Sequence, residues 1–438
     1  MHDVTRGSAV GGQADERRLS WVRFCSSLRV QLVICLGVGV LLPLVIFFRG
    51  DIAAASRSLL LQNTVLLAAL AISISVVLIR KFGEFPGTVG ARYIFPSFAA
   101  TYSCATVLIL LLRAPYSGAL LFLTFVAGLV TRFLMNAVER RGDNILYHLV
   151  PGGNIERMRE AVASHSVVLT QPRVPSGPNA VLVADLHYDH SPEWERAFAT
   201  AALSGIGVYH YKQVWEAQTG KVRIEHLSEN GLGSLLPSNP YTKMKRAIDI
   251  SLTMVALPIL LGPLAVVALL IRLDSPGSVF FRQERIGYRG RSFHVLKFRT
   301  MREADPEDGA DKVHAAITRD DDDRVTRIGR ALRQTRIDEL PQILNILRGE
   351  MSWIGPRPEA RPLSEWYERE IPFYSYRHIV RPGITGWAQV NQGHVAGINE
   401  VHDKLRYDFY YIKNFSLWLD LVVLFKTVLV VARGIGAK

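Results

Sequence analysis

Four long apolar runs follow one another in the first third of the chain, at residues 30–48, about 59–79, 93–112 and 116–134. Each approaches the ~20 residues that an α-helix needs to cross a bilayer core about 30 Å thick. One such run can be buried in a soluble core; four in succession describe a membrane-spanning bundle, here taken as residues 30–138. The first run is too long for a signal-peptide core, and no small-residue cleavage site follows it. Arg80, Lys81 and Arg92 load the second connection with positive charge, the third carries Arg113, and Arg140 and Arg141 follow the fourth run. The positive-inside rule then puts both ends of the bundle in the cytoplasm. Residues 1–29, with Arg6, Arg17, Arg18, Arg23 and Arg29, read as a cytoplasmic N-terminal tail.

At 438 residues the chain exceeds one ordinary domain. Its net charge of +12 accompanies spanning segments, so anionic head groups and anionic substrates are the expected partners, and no nucleic acid. Cys25, Cys35 and Cys104 lie in or beside the apolar region without metal-ligand spacing, which excludes a disulfide framework and a cysteine zinc site. The apolar runs carry few ionisable residues, unlike the substrate path of a transporter.

Residues 142–236 change character. Short apolar stretches at 145–150, 166–169, 180–184 and near Val208 read as strands, and 155–163 and 192–203 as helices. This alternation predicts a small α/β domain with a parallel sheet. No G-x-G-x-x-G occurs, so Pro151-Gly152-Gly153 reads as a tight turn. Asp185, His187, Asp189 and His190 resemble a metal set but read as a solvated loop, and residues 231–240 as a linker. Residues 248–273 are long and apolar enough to span, yet Pro258 and Gly262-Pro263 interrupt them. A fifth crossing would carry the rest of the chain out of the cytoplasm. A helix–break–helix that enters and leaves one leaflet is therefore expected, with its break at Gly262 and Pro263.

The chemistry lies in residues 241–438. Arg336-Ile337-Asp338-Glu339-Leu340-Pro341-Gln342 places two adjacent carboxylates before an apolar segment. Pro341 fits a first helical turn, which predicts a helix starting near Glu339 with Asp338 at or beside the N-cap. Gly355-Pro356-Arg357-Pro358 reads as a rigid loop that fixes one guanidinium. Residues 278–283 and 293–299 read as strands, with Arg289-Gly290-Arg291 as a turn. The run Asp320-Asp321-Asp322-Asp323 reads as a solvated loop, and residues 407–431 as an amphipathic helix at a membrane interface.

Four ordered motifs stand in this region: Lys297-Phe298-Arg299-Thr300-Met301, Asp338-Glu339-Leu340-Pro341-Gln342, Met351-Ser352-Trp353-Ile354-Gly355-Pro356-Arg357-Pro358-Glu359 and Arg381-Pro382-Gly383-Ile384-Thr385-Gly386-Trp387. Together they strongly resemble the bacterial sugar transferases, the monotopic phosphoglycosyl transferases. The whole-chain plan resembles the large members of that family. The resemblance implies a membrane α-helical bundle, a small α/β (degenerate Rossmann-like) domain, and an α/β catalytic domain with a re-entrant membrane helix. That family usually breaks its re-entrant helix at Ser-Pro, where this chain has Gly262-Pro263. The implied reaction moves a hexose 1-phosphate from a UDP-sugar to a polyprenyl phosphate such as undecaprenyl phosphate, releasing UMP, at the bacterial inner membrane. It would initiate exopolysaccharide, capsule or O-antigen synthesis. The resemblance makes Asp338 and Glu339 the catalytic acids, with Asp338 as nucleophile and Mg²⁺ held at the pair. It places Lys297, Arg299, Arg357, Gln342 and Arg381 among the substrate-binding residues. A homodimer is left open.

Overall fold

A computed structural model describes residues 27–47, 58–83, 90–139, 145–156, 158, 165–175, 180–222, 239–302, 324–392 and 398–432. Residues 1–26, Arg140, Arg141, the linker over 231–238, the run from Asp320 to Asp323 and most of the helix expected over 155–163 lie outside them. The chain forms two compact units, Met1–Gly220 and Lys221–Lys438. This division falls earlier than the expected linker. The amide of Val222 already donates to the carbonyl of Arg406 at 2.9 Å, and Lys221 pairs with Asp403 at 3.1 Å.

In the first unit, the four apolar runs become helices. The first comprises α1 (Leu28–Leu36), a π-helical turn (Gly37–Leu41) and α2 (Leu42–Phe47); α3 (Leu59–Gly83), α4 (Gly90–Leu111) and α5 (Gly118–Glu139) follow. All four are long and apolar enough to cross a membrane. Their shared core includes Cys35, Ile72, Val76, Ile94, Phe98 and Leu121, while Leu66, Phe95, Leu110 and Phe122 face outward. That outward apolar surface is what a lipid-facing bundle requires. Arg132, buried in α5, pairs with Glu139 two turns on at 3.0 Å.

The same unit holds β1 (Leu146–Leu149), β2 (Ser166–Val168), β3 (Ala180–Ala184), α6 (Pro192–Leu203), β4 (Val208–His210) and α7 (Tyr211–Thr219). The strands form an all-parallel sheet in the order β2-β1-β3-β4. The expected α/β character is therefore observed. The loop after β3 differs from expectation: Asp185 and His190 are buried, and only its tip is solvated.

The second unit opens with α8 (Asn239–Asp274), a single helical element that contains both Pro258 and Pro263. Helical structure therefore continues through Gly262-Pro263, where a break between two helices was expected. Each proline removes one N–H and crowds one carbonyl, and the apolar flanks sustain the helix on both sides. Both flanks of α8 rest on the same unit. Near its start, Arg246 donates to the carbonyls of Ile346 and Leu347 at 2.6 and 3.0 Å, and Trp353 Nε1 donates to Thr253 at 3.1 Å. Near its end, Leu264, Val267, Ala268 and Ile271 pack with Phe298 and Leu332. Between these anchors Met254, Val255, Ile259 and Leu261 are exposed.

Beyond α8, β5 (Phe280–Ile286) and β6 (Ser292–Phe298) form an antiparallel hairpin, and β7 (Ser352–Ile354) pairs in parallel with β8 (Gly383–Thr385). Between them lie α9 (Arg327–Thr335), a 3₁₀ turn (Ile337–Gln342) and α10 (Ile343–Arg348). Asn345 on α10 ties it to β6, accepting from the amide of Leu296 at 3.1 Å and donating to the carbonyl of His294 at 2.8 Å. The single helix expected over 407–431 is two, α13 (Ile398–Lys413) and α14 (Leu417–Ala432), after the intervening α11 (Arg361–Glu370) and α12 (Trp387–Gln392). Ser416 caps α14, accepting from the amide of Leu419. Leu419, Val422 and Val423 are fully buried, so this face of α14 belongs to the core and not to an interface.

Gly355 and Gly383 interlock β7 and β8. The amide of Gly355 donates to the carbonyl of Thr385 at 2.8 Å, and a Cβ on Gly383 would stand 2.1 Å from the Gly355 nitrogen. Gly383→Ala should therefore cost about 2 kcal/mol or more through forced separation of the strands. A Cβ on Gly262 meets nothing within 4 Å. The apparent melting temperature of the solubilised full chain is expected to fall for Gly383→Ala and not for Gly262→Ala.

Candidate active site

Three segments of the second unit converge on the acid pair. The first is the end of β6, which carries Lys297. The second is the 3₁₀ turn, which begins at Ile337, earlier than the helix start expected near Glu339. Its N-cap is Arg336, in the left-handed region at φ 56°, so Asp338 lies inside the turn and not at the cap. Left-handed backbone is costly for a residue with a Cβ. At Arg336 it reverses the chain between α9 and the turn and brings Glu339 against Lys297 at the end of β6. The third segment is the loop after β7, where two prolines flank Arg357.

The two acids are held differently. Glu339 is buried, and its Oε1 accepts from Lys297 Nζ at 3.0 Å and from Arg357 Nη2 at 2.7 Å. Its Oε2 takes a further contact from Arg357 Nη1 at 3.3 Å. Asp338 is half-buried, and among the described residues no hydrogen bond or ion pair reaches its carboxylate. Burial pushes the Glu339 carboxyl up, but Arg357 and Lys297 outweigh it and hold the group well below the usual range. Asp338 moves the other way. Burial raises it, Lys297 opposes, and the neighbouring Glu339 charge adds to the rise. Glu339 raises the Arg357 guanidinium further above its ordinary value. Lys297 is pushed down to about 8 by burial, against the pull of Glu339.

A second layer fixes the Pro-Arg-Pro loop. Arg377, buried, donates to the carbonyl of Arg357 at 2.8 Å and pairs with Asp408 at 2.8 Å. Arg285 Nη1 donates to the carbonyl of Pro358 at 2.5 Å, and Glu359 pairs with Lys404. Burial raises the Glu359 carboxyl, and Lys404 and Arg377 reverse this and hold it ionised. None of Arg285, Arg377, Lys404 and Asp408 stood out in the sequence, because they meet only through the fold. Asn345 had a signal, as the one polar residue within an apolar segment.

Of the expected substrate-binding residues, Lys297 and Arg357 reach the acid pair. Arg299 is engaged elsewhere, donating to the carbonyls of Ser275 and Pro276 at 2.8 and 2.9 Å, where it closes the end of α8. Arg381 donates to the carbonyl of Gly349 at 3.0 Å and lies over the Tyr288 ring. Gln342 is buried at the end of the turn.

The donor set fits a magnesium ion. Such an ion takes one or two carboxylates and completes its shell with water and substrate phosphate oxygens. Asp338 offers a carboxylate without a partner among the described residues, and Glu339 retains a lone pair on Oε2, since three of its roughly four acceptor positions are taken.

A model of the bacterial sugar transferase family matches residues 240–434. Over 377 residues the chain is 42% identical to the UDP-N-acetylgalactosamine-undecaprenyl-phosphate N-acetylgalactosaminephosphotransferase of Aeromonas hydrophila, covering 86% of this chain and 88% of that protein. It is 40% identical over 223 residues to the UDP-glucose:undecaprenyl-phosphate glucose-1-phosphate transferase of Xanthomonas campestris pv. campestris, covering 50% and 44% of the two chains. A third relative, the exopolysaccharide production protein PSS of Rhizobium leguminosarum bv. phaseoli, is 43% identical over 199 residues, which make up 44% of this chain and 98% of that one.

The depressed Lys297 pKa makes the ion pair on Glu339 sensitive to pH. Above about 8 the ammonium is lost and Glu339 keeps only Arg357. The unfolded chain would hold that proton up to its ordinary ~10.4. Across this window the group makes stability rise with pH, because the unfolded state binds more protons. Activity and stability should thus move in opposite directions. A pH–rate profile of kcat/KM is expected to fall through about 8, with the melting temperature not falling in step; a profile flat across that pH would contradict the role of Lys297.

Proposed function

We propose, from the premise that the chain belongs to the bacterial sugar transferase family, that its second unit transfers a hexose 1-phosphate from a UDP-sugar to undecaprenyl phosphate. UMP is the other product. The asymmetry of the acid pair carries this reading. Glu339 is neutralised by two cations, while Asp338 stands beside it with a carboxylate that no group among the described residues occupies.

An Asp338 oxygen attacks the β-phosphorus of the UDP-sugar. A bond from Asp338 to phosphorus forms, the bond to the bridging oxygen breaks, and UMP leaves with that oxygen. The phosphate oxygen of the lipid then attacks the same phosphorus and displaces the Asp338 carboxylate, giving the polyprenyl-diphosphate-sugar. A carboxylate approaching a diphosphate meets like charge. At ~4 Å and an effective dielectric of ~20 each unit pair repels by about 4 kcal/mol, or roughly three powers of ten in rate. Lys297 and Arg357 supply fixed positive charge on this flank, and the rise in the Asp338 pKa makes its carboxylate more basic and more nucleophilic. Magnesium, held by Asp338 and Glu339 together with substrate phosphates, would neutralise further charge on the diphosphate.

The acceptor lies in a membrane, and α8 supports placing the site at its surface. Only ten residues separate Thr253 from Leu264, both of which rest against the rest of the second unit. That is ~16 Å of helix, too little to cross a ~30 Å core and return. We read α8 as re-entrant, its exposed middle dipping into the cytoplasmic leaflet of the inner membrane and its kink lying at Pro258 and Pro263. Lys243, exposed at the start of the helix, is the cation available to anionic head groups, since Lys245 and Arg246 are engaged by Asp420 and by the carbonyls of α10. In the first unit, the parallel sheet fits the degenerate Rossmann-like domain of the large family members. The pathway role we assign is the initiating step of exopolysaccharide, capsule or O-antigen synthesis. The relative that matches most of both chains names N-acetylgalactosamine, which makes UDP-N-acetylgalactosamine the first donor to test.

Asp338→Asn is expected to abolish UMP release with an unchanged melting temperature. Turnover within about tenfold of the parent, a barrier change of only ~1.4 kcal/mol, would overturn its role as nucleophile. Given donor but no lipid, the enzyme should carry one labelled sugar phosphate per site on rapid quench; absence of label would favour direct transfer. In a background lacking the native cysteines, Ser278→Cys is expected to react only with reagents applied from the cytoplasm, and labelling from the periplasm would make α8 a span.

A further inference from the structure

The parallel sheet of the first unit carries a cluster that the transfer reaction does not use. In its order, β1 lies between β2 and β3, so the chain leaves the sheet in opposite directions on either side of the β1–β3 junction. The carboxyl ends of the strands open a crevice at such a point, and ligands of α/β sheets bind there. Three loops meet at this edge: the one after β1, with Pro151-Gly152-Gly153-Asn154; the one after β3, with Asp185-Leu186-His187; and the end of β4 at His210.

The first loop turns a backbone amide, that of Asn154, into this crevice, but a protein carboxylate already occupies it. Asn154 donates its backbone N–H to Asp185 Oδ2 at 3.0 Å. Gly153 approaches so closely that a Cβ there would fall 2.4 Å from the same oxygen. A phosphate entering this crevice would meet a buried negative charge. The edge is therefore suited to a cation.

Two imidazoles complete the set. His187 Nδ1 and His210 Nε2 lie 3.2 Å apart, and one ligand atom from each of Asp185, His187 and His210 falls within a common 4.8 Å. Two nitrogens on one tetrahedral zinc ion, at ~2.0–2.1 Å from the metal, stand about 3.3 Å apart. The outer contacts suit that use. His210 Nδ1 lies 3.3 Å from both the carbonyl of Ala184 and the backbone N–H of Leu186; the tautomer that donates to the carbonyl is the one that leaves the Nε2 lone pair for a metal. The Asp185 carboxylate is steadied by Asn154 and by the amide of His187 at 3.3 Å. His190 lies outside the set: its ring packs against Phe198 and its Nε2 faces the carbonyl of Asp185 at 3.0 Å.

We propose that Asp185, His187 and His210 form a zinc-class divalent metal site at the carboxyl edge of this sheet, with its fourth position open on the exposed His187 side. The full chain, purified without a polyhistidine tag and stripped with chelator, is titrated with Zn²⁺, and bound metal is counted by mass spectrometry after desalting. One zinc per chain is expected. His187→Ala and His210→Ala should each weaken its binding by about 100-fold or more, while Asp338→Asn retains it, which separates this ion from any zinc held at the catalytic acids. Cobalt in place of zinc should give strong visible absorption in the parent and not in His187→Ala. Because His187 is exposed, its removal should leave the melting temperature in chelator unchanged. Equal zinc retention by the parent and His187→Ala, or none by the parent, would overturn the site.

Discussion

The double ion pair on Glu339 is the interaction on which the catalytic unit depends. One carboxylate joins the end of β6, the 3₁₀ turn and the Pro-Arg-Pro loop through Lys297 and Arg357. A buried carboxylate without partners would be costly, and one with two cations is held in one place. Its neighbour gains from this arrangement. Because Glu339 takes both cations in direct contact, Asp338 feels their field without being tied to either. Adjacent residues of the same chemistry thus divide into a fixed group and one left uncommitted among the described residues.

Arg357 holds its place because the loop beneath it is held in turn. Arg377 and Arg285 bind the carbonyls of Arg357 and Pro358, and Asp408 neutralises Arg377. The crossing of β7 and β8 at Gly355 and Gly383 brings that loop beside the segment beginning at Arg381. These contacts convert a flexible guanidinium into a preorganised charge, the form in which electrostatics lowers barriers most.

The features legible in the sequence were those encoded by local pattern. Hydropathy marked the four apolar helices closely, because lipid-facing and core-facing residues alike must be apolar. Pro192 and the alanines after it gave α6, and the short β-rich stretches gave the parallel sheet. The acid pair, Lys297 and Arg357 stood in recognisable motifs. Legibility failed where partners are brought together by topology. His187 was read beside His190, three residues away, whereas its neighbour in space is His210 on the adjacent parallel strand. Arg299 and Arg381 looked alike as basic motif residues, and only the fold shows them bound to backbone carbonyls. Gly262 and Pro263 were read as a break between two helices, whereas α8 runs through them as one helical element with packing at both flanks.

The double anchoring of α8 also bears on how the enzyme can be divided. The helix contributes Arg246 to the carbonyl end of α10, Thr253 to Trp353, and Tyr241 and Lys245 to the buried carboxylate of Asp420. Its far flank covers Phe298 and Leu332. A fragment beginning after Asp274 would leave Asp420 a buried charge short of two donors and expose the apolar side of the hairpin that carries Lys297. The two flanks of α8 are thus part of the second unit's own packing, and a stable fragment of that unit cannot be made by cutting the helix away.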